Sequence, residues 1–92
     1  MTITFAPKCL KELQRIKKHN RKLFTKIEKQ FVLFELNPEH PSLRLHKLSG
    51  VQQECWSISI DMSYRLLFYY SLIESKQIVV FFSFGTHKEV YT

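Results

Sequence analysis

The sequence contains 92 residues, of which 45% are apolar, and its 14 Lys and Arg exceed its 8 Asp and Glu to give a formal net charge of +6. This length excludes two ordinary domains, and the apolar share is enough for a core without disulfides or a structural metal, so we expect one domain over residues 1–92. No apolar run approaches the roughly 20 residues that span a bilayer, and the N-terminus lacks the basic-then-apolar order of a secretory signal, so we expect a cytoplasmic protein with no membrane partner.

The cysteines and histidines do not follow the spacing of metal ligands. Cys9 and Cys55 form no C-x-x-C pair, and the four histidines show no H-x-x-x-H pattern. We therefore expect two ordinary buried or half-buried thiols, no bound metal and no cofactor.

The N-terminal segment predicts a strand followed by a helix. Residues 2–6 alternate polar and apolar side chains, and Pro7 stands where the first turn of a helix tolerates a missing N–H. The helix continues to about His19. Its apolar stripe consists of Leu10, Leu13 and Ile16.

A second helix is predicted immediately after the first. Asn20 is its expected N-cap, because an asparagine oxygen can accept a hydrogen bond from an N–H of the first turn. The helix ends before Asn37 and Pro38, since proline lacks a donor and disfavours helix in the residue before it. Its main apolar positions are Leu23, Ile27, Phe31 and Phe34. The two helices are expected to form an antiparallel hairpin.

The rest of the chain has strand patterns. Alternating or dense apolar segments cover residues 43–46, 56–60, 64–70 and 78–84. Turns are expected at Ser49-Gly50, at residues 61–63 and at residues 73–76. The fold class is therefore α+β, with an N-terminal strand, a helical hairpin and then a three- to four-stranded antiparallel sheet that the helices cover on one face.

Basic residues are concentrated in the helical hairpin. Between Lys8 and Lys29 the sequence has nine Lys or Arg but only Glu12 and Glu28 as acids. Such a surface is either a solvated helical face, a binding surface for polyanions through phosphate contacts, or a binding surface for an acidic protein.

Four segments, taken in order, resemble the toxins of the RelE/ParE superfamily. They are His46-Lys47-Leu48-Ser49-Gly50, Trp56-Ser57-Ile58-Ser59-Ile60, Tyr64-Arg65-Leu66 and Gly85-Thr86-His87-Lys88-Glu89-Val90-Tyr91. The resemblance covers nearly the whole chain and implies the toxin of a type II toxin–antitoxin pair, with a curved antiparallel sheet packed on a helical hairpin.

The resemblance also implies partners. Members on the RelE/YafQ side cut messenger RNA in the ribosomal A site, which gives the ribosome and mRNA as partners, whereas members on the ParE side inhibit DNA gyrase. The cognate antitoxin would be an acidic protein from an adjacent gene. No small-molecule cofactor is implied.

RNA cleavage without a metal needs a base for the 2′-hydroxyl, an acid for the leaving oxygen and a cation for the charge on phosphorus. The residues that match family active positions are Arg65, His87, His46 and Tyr91. Arg65 would stabilise charge, because a guanidinium stays ionised and can hold two phosphate oxygens. Histidine changes charge near neutral pH, so His87 is the first candidate acid or base and His46 the second. Tyr91 would stack on a base or hydrogen-bond the phosphate.

Four further residues are candidates for RNA binding. Lys47 and Lys88 would contact phosphates as point charges, Arg44 would add a guanidinium, and Tyr64 occupies a position that is aromatic in YafQ-like toxins. The RNA is expected to lie across the concave face of the sheet. Plain surface lysines and a surface Arg65 paired with Asp61 or Glu89 remain alternatives.

The sequence departs from the family pattern at several active positions. RelE has two lysines where this chain has Ser57 and Ser59, and YafQ-like members have a histidine at Ser59, an Asp near Ser63 and an Arg near Ser83. Cleavage would then be slow, rearranged around the two histidines, or lost. Two other functions therefore remain open, a ParE-like inhibitor of gyrase and an inactive toxin that serves as an antitoxin-binding module.

Overall fold

The computed structural model describes residues 1–49 and 54–91, without the side chain of Tyr91. In chain order the elements are β1 (Thr2–Phe5), α1 (Pro7–His19), α2 (Arg21–Leu36), a 3₁₀ turn (Pro41–Leu43), β2 (His46–Lys47), β3 (Trp56–Ser59), β4 (Tyr64–Ile73), β5 (Lys76–Thr86) and α3 (His87–Tyr91). This order confirms the predicted α+β arrangement. No described helix combines the length and apolar character needed to cross a lipid bilayer.

The helical hairpin turns at a single residue. The Asn20 backbone N–H donates to the Ile16 carbonyl at 2.8 Å and ends α1, while its side-chain oxygen accepts from the Leu23 N–H at 3.2 Å and begins α2. The predicted N-cap is confirmed. The predicted stripe of α1 is partly wrong, because Leu10 is exposed and Cys9 is buried in its place.

The sheet has five strands in the order β1-β5-β4-β3-β2. The strands β2 to β5 are antiparallel neighbours, as predicted, but β1 pairs with β5 in parallel. The predicted antiparallel sheet of three to four strands is confirmed by β2 to β5, and the predicted N-terminal strand joins it as a fifth strand. Parallel pairing requires a crossover, and here the intervening chain, including the helical hairpin, supplies it.

Three local predictions differ from the structure. Pro41 begins a 3₁₀ turn and Arg44 takes a left-handed backbone with φ of 48°, so the strand predicted at 43–46 is reduced to His46–Lys47. The hairpin between β4 and β5 turns on two residues, Glu74 and Ser75, which both have positive φ, and both strands are longer than predicted. The helix α3 was not predicted. The turn predicted at Ser49-Gly50 involves Gly50, which lies outside the described residues.

The core lies between the helical hairpin and the sheet. Phe34 of α2, Phe68 of β4 and Phe81 of β5 have no exposed surface. Their ring centroids are 5.2 to 5.5 Å apart, the spacing of favourable aromatic pairs. Because side chains alternate along a strand, this packing directs Phe68 and Phe81 toward the helices and their neighbours in the sequence toward the other face.

Replacing Phe81 by alanine should lower the free energy of unfolding by about 3–5 kcal/mol, because it removes a fully buried ring and leaves a cavity. The neighbouring Phe82→Ala is the matched control, since Phe82 is partly exposed. Urea denaturation of the two variants and the wild type measures the difference. Equal losses in both variants would contradict the assignment of Phe81 to the centre of the core.

Candidate active site

The sheet has a second face, which points away from α1 and α2 and is called the far face below. Arg65 pairs with Ser59 of β3 and with Gly85 of β5, and the next row on the same face pairs Leu67 with Ser57 and Ser83. Leu66 and Phe68 alternate with these residues and lie in the core on the helix side. Arg65 therefore shares the far face with Ser57, Ser59 and Ser83.

One nitrogen of the half-buried Arg65 guanidinium is held by the end of β3. Its Nη1 donates to Ser59 Oγ at 2.8 Å and to the Asp61 carbonyl at 3.0 Å. Within the described residues, its Nε and Nη2 make no hydrogen bond. These two nitrogens form the edge of a guanidinium that can donate to two oxygens of one phosphate. Arg65 makes no ion pair with the Asp61 or Glu89 carboxylate among the described residues.

The Asp61 carboxylate organises the turn between β3 and β4. Its Oδ1 accepts from the backbone N–H groups of Ser63 and Tyr64, both at 2.8 Å, and its Oδ2 lies 3.3 Å from Lys26 Nζ. Burial acts to raise the pKa of Asp61, but these donors outweigh it and hold the pKa below its ordinary value. The carboxylate therefore stays ionised and fixes the carbonyl that accepts from Arg65.

His46 lies at the edge of the sheet. Its Nδ1 is 2.9 Å from the Arg44 carbonyl, and because a carbonyl can only accept, Nδ1 carries the hydrogen and Nε2 is the basic nitrogen of the neutral ring. Two strand spacings and a two-residue rise put the Cα atoms of His46 and Arg65 about 12 Å apart. Ser57 and Leu67, which lie between them, are buried. His46 and Arg65 thus lie on either side of a buried strip of the far face.

The helix α3 is joined to β5 by a capping box. The Thr86 N–H donates to Glu89 Oε1 at 2.8 Å, and the Glu89 N–H donates to Thr86 Oγ at 3.3 Å. A Cβ on Gly85 would lie 3.0 Å from Glu89 Cβ, so glycine allows α3 to pack against the end of β5 beside the pairing partner of Arg65. His87 is the first residue of α3 and is exposed. His87 therefore follows Gly85, the pairing partner of Arg65, by two residues in the chain.

Several predicted site residues do not share this face. Lys47 pairs with Trp56, its Nζ lies 5.6 Å from that ring, and it forms a 2.8 Å ion pair with Glu54. The ring of Tyr64 stacks on Phe84 at 5.2 Å on the helix side. Strand alternation directs Lys47 and Tyr64 to the opposite face from Arg65. A role of either residue in RNA binding stays a prediction.

The remaining candidates lie at the two ends of the site. Arg44 is exposed beside the end of β3, and Lys88 is exposed on α3. The side chain of Tyr91 lies outside what the structure describes.

Sequence reasoning missed two groups that position the site. Gln30 is buried, and its Nε2 donates to the Ser59 carbonyl at 2.9 Å, where β3 has passed the end of β2. Its place within an apolar stripe was the available signal. The Thr86 and Glu89 pair carries the T-x-x-E signature of a capping box, which could have predicted α3.

The thiols are not arranged for chemistry. Burial raises the pKa of the Cys9 thiol to about 11, and it also raises the pKa of the Cys55 thiol. Neither is therefore a thiolate at neutral pH. Among residues 1–49 and 54–91, no group of three or more His, Cys, Asp or Glu side chains could hold a metal ion.

A family model described as "ParE toxin of type II toxin-antitoxin system, parDE" matches residues 3–91. The chain belongs to this toxin family. The toxin's fold is also that of solved structures, although no curated protein matches its sequence.

Three solved structures illustrate the similarity. The YoeB/ParE toxin from Agrobacterium tumefaciens has a TM-score of 0.74 and 16% identity, over 95% of the toxin and 99% of that chain. The heterotetrameric YoeB-YefM toxin-antitoxin complex from Staphylococcus aureus has a TM-score of 0.70 and 19% identity, over 95% and 97%. The E. coli DinJ-YafQ toxin-antitoxin complex has a TM-score of 0.70 and 18% identity, over 98% and 96%. Two of these similar proteins are therefore seen with antitoxins.

The capping box predicts a pH dependence. The Thr86 N–H and hydroxyl hold the pKa of Glu89 below its ordinary value of 4.5. A carboxyl whose pKa is lower in the folded state stabilises that state above its unfolded pKa and loses this contribution as pH falls through the folded pKa. The wild type should therefore be more stable than Glu89→Gln at neutral pH, and the difference should vanish as the pH falls below 4.5. Urea denaturation of both proteins across this range measures it, and a difference that did not change with pH would contradict the charge-dependent cap.

Proposed function

We propose that the toxin is a ribosome-dependent mRNA endoribonuclease that cleaves RNA without a metal in the cytoplasm. Cleavage of RNA through its own 2′-hydroxyl requires a cation at the phosphate and groups that move protons. The observation that carries the proposal is Arg65, half-buried in the far face, with Nη1 tied to Ser59 and Asp61 while Nε and Nη2 point to no described partner. The structural likeness to YoeB and YafQ toxins supports the same function.

The two histidines take the proton transfers in this proposal. His87 follows Gly85, the pairing partner of Arg65, by two residues, and in this proposal it acts as acid or base on the bound nucleotide. His46 presents Nε2 as an acceptor from the β2 edge, because its Nδ1 donates to the Arg44 carbonyl. Tyr91 and Lys88 extend the site from α3, as base-stacking and phosphate-binding groups. Ser57, Ser59 and Ser83 cannot supply an acid or base at neutral pH, so the histidines replace the groups that other family branches have there.

An antitoxin restrains this activity. The net charge of +6 favours an acidic antitoxin, and we propose that an adjacent gene encodes it.

The second candidate function is inhibition of DNA gyrase by binding. The ParE description of the matching family model favours it. Such an inhibitor needs a docking surface and no acid or base, so it does not depend on His87 or on the free edge of Arg65.

Arg65→Ala should abolish growth arrest and lower cleavage of translated messages by about 100-fold or more, the usual cost of losing one group that stabilises transition-state charge. His87→Ala should also lower cleavage. Primer extension on an abundant message after induction of each variant measures this effect. Arg21→Ala and His19→Ala are matched controls, since both residues are exposed on the helical hairpin away from the far face.

The outcomes separate the two functions. New cuts in translated RNA that require Arg65 and His87 support the nuclease. Growth arrest with intact messages and a DNA-damage response would overturn it in favour of the gyrase inhibitor. Loss of activity in the control variants to the same extent would show that the effect is general charge or folding.

Ser59→Ala should lower cleavage by about tenfold or more, because a hydrogen bond to a charged group is worth about 1.5–3 kcal/mol and Ser59 Oγ orients Arg65. Ser63→Ala is the control in the same turn, since it keeps the backbone N–H that donates to Asp61. Rates for both variants and for Ser59→Thr, which restores a hydroxyl, test the role. Full activity in Ser59→Ala would exclude Ser59 as a positioning residue.

A further inference from the structure

A basic cleft opens at the end of β3, between α2, the 3₁₀ turn and the turn that joins β3 to β4. Its volume is about 410 Å³, the lower range of volumes that hold small ligands. Its charged lining consists of Lys26, Lys29, Arg44 and Asp61. Lys26, Lys29 and Asp61 are not among the groups proposed above to contact RNA.

We infer that this basic cleft is a second phosphate-binding subsite, which holds the RNA backbone next to the phosphate bound by Arg65. The inference rests on the proposed nuclease function and extends the substrate path beyond the far face.

The charges of the cleft favour an anion. Three cations face one carboxylate, and the Asp61 carboxylate already accepts from two backbone N–H groups and pairs with Lys26. Within residues 1–49 and 54–91, neither Lys29 nor the Arg44 guanidinium has a carboxylate partner within ion-pair distance. Phosphate oxygens accept strong hydrogen bonds from an ammonium and a guanidinium that have no carboxylate partner.

The cleft is continuous with the Arg65 site. Ser59 and Asp61 line the cleft, and the same two residues accept the hydrogen bonds from Arg65 Nη1. On the far face, Ser57 and Leu67 lie between Arg65 and His46, and both are buried, so they offer no surface to a bound strand. A strand bound at Arg65 therefore continues around the end of β3 into the cleft, and this continuity favours RNA over an acidic peptide as its occupant.

The walls of the cleft are held in place. The buried Gln30 side chain donates to the Ser59 carbonyl at 2.9 Å and to the Ser42 carbonyl at 3.4 Å, which joins α2 to two walls. Arg44 has a left-handed backbone, with its N–H donating to the Pro41 carbonyl at 3.1 Å and its carbonyl accepting from His46. A non-glycine residue keeps this conformation only where its surroundings enforce it. The cleft is thus prearranged, and it is connected to His46.

The test compares two charge-matched variants. Lys29→Gln with Arg44→Gln removes two charges from the cleft, and Lys11→Gln with Lys18→Gln removes two charges from exposed positions of α1. The probes are a trinucleotide and a nonanucleotide of 2′-O-methyl RNA, which cannot be cleaved. Affinity is measured over a range of salt concentrations, and thermal unfolding verifies that each variant is folded.

The expected result is a smaller salt dependence for the cleft variant on the longer probe alone. Each phosphate contact contributes about 0.7 to the slope of log affinity against log salt for a single strand, so two lost contacts lower it by about 1.4. The trinucleotide, which spans only the Arg65 site, should keep its slope. The α1 variant should keep the slope for both probes.

Three results would overturn the inference. The first is that the cleft variant keeps the salt slope of the wild type for the nonanucleotide. The second is that the α1 variant loses as much of that slope as the cleft variant. The third is that the cleft variant still binds RNA but no longer binds an acidic peptide of the antitoxin. If Arg65→Ala weakens both probes while the cleft variant weakens neither, the subsite fails and the nuclease proposal stands. If the wild type does not bind the nonanucleotide, the inference fails. If Arg65→Ala binds both probes as tightly as the wild type does, the proposed function fails as well.

Discussion

Phe34, Phe68 and Phe81 meet between α2 and the two central strands without any exposed surface, and this contact fixes the two faces of β4. In β5 the register shifts by one residue between the partners of Leu67 and Phe68, so Ser83 lies opposite Leu67. A strand has a period of two, so a shift by one residue would exchange its two faces and expose the core. With Phe68 held under the helix, Arg65 must lie on the far face. The apolar packing on the helix side of the sheet therefore places Arg65 and its polar neighbours on the far face.

The polar side of the toxin depends on hydrogen bonds to backbone atoms at the end of β3. The β2 strand is only two residues long, so the outer edge of Ser59 has no strand neighbour. Gln30 satisfies the carbonyl of Ser59, and Asp61 closes the following turn through two N–H groups. A buried carbonyl without a donor would be costly. The end of β3 that these bonds hold in place also accepts the hydrogen bonds of Arg65 through Ser59 and Asp61.

Ser59 is central to the hydrogen bonds around Arg65. Ser59 does not titrate near neutral pH, but its hydroxyl accepts from Arg65 and donates to the Asp61 carbonyl at 2.9 Å. At this position the chain has a group that holds the Arg65 guanidinium in place. In the proposed mechanism, proton transfer is then left to His87, at the start of α3, and to His46, at the sheet edge.

The sequence by itself determined the order of strand, helical hairpin and sheet and the cap at Asn20, because periodicity, proline and capping residues are local signals. The motifs also made Arg65 and His87 candidates for the site, which stays a prediction. Only the tertiary structure decided that β1 pairs in parallel with β5, that Lys47 and Tyr64 face the helices, and that Lys26 lies against Asp61, 35 positions away in the chain. These relations arise from strand register and from packing between distant segments, and the free energy that selects them belongs to the assembled core rather than to any one segment.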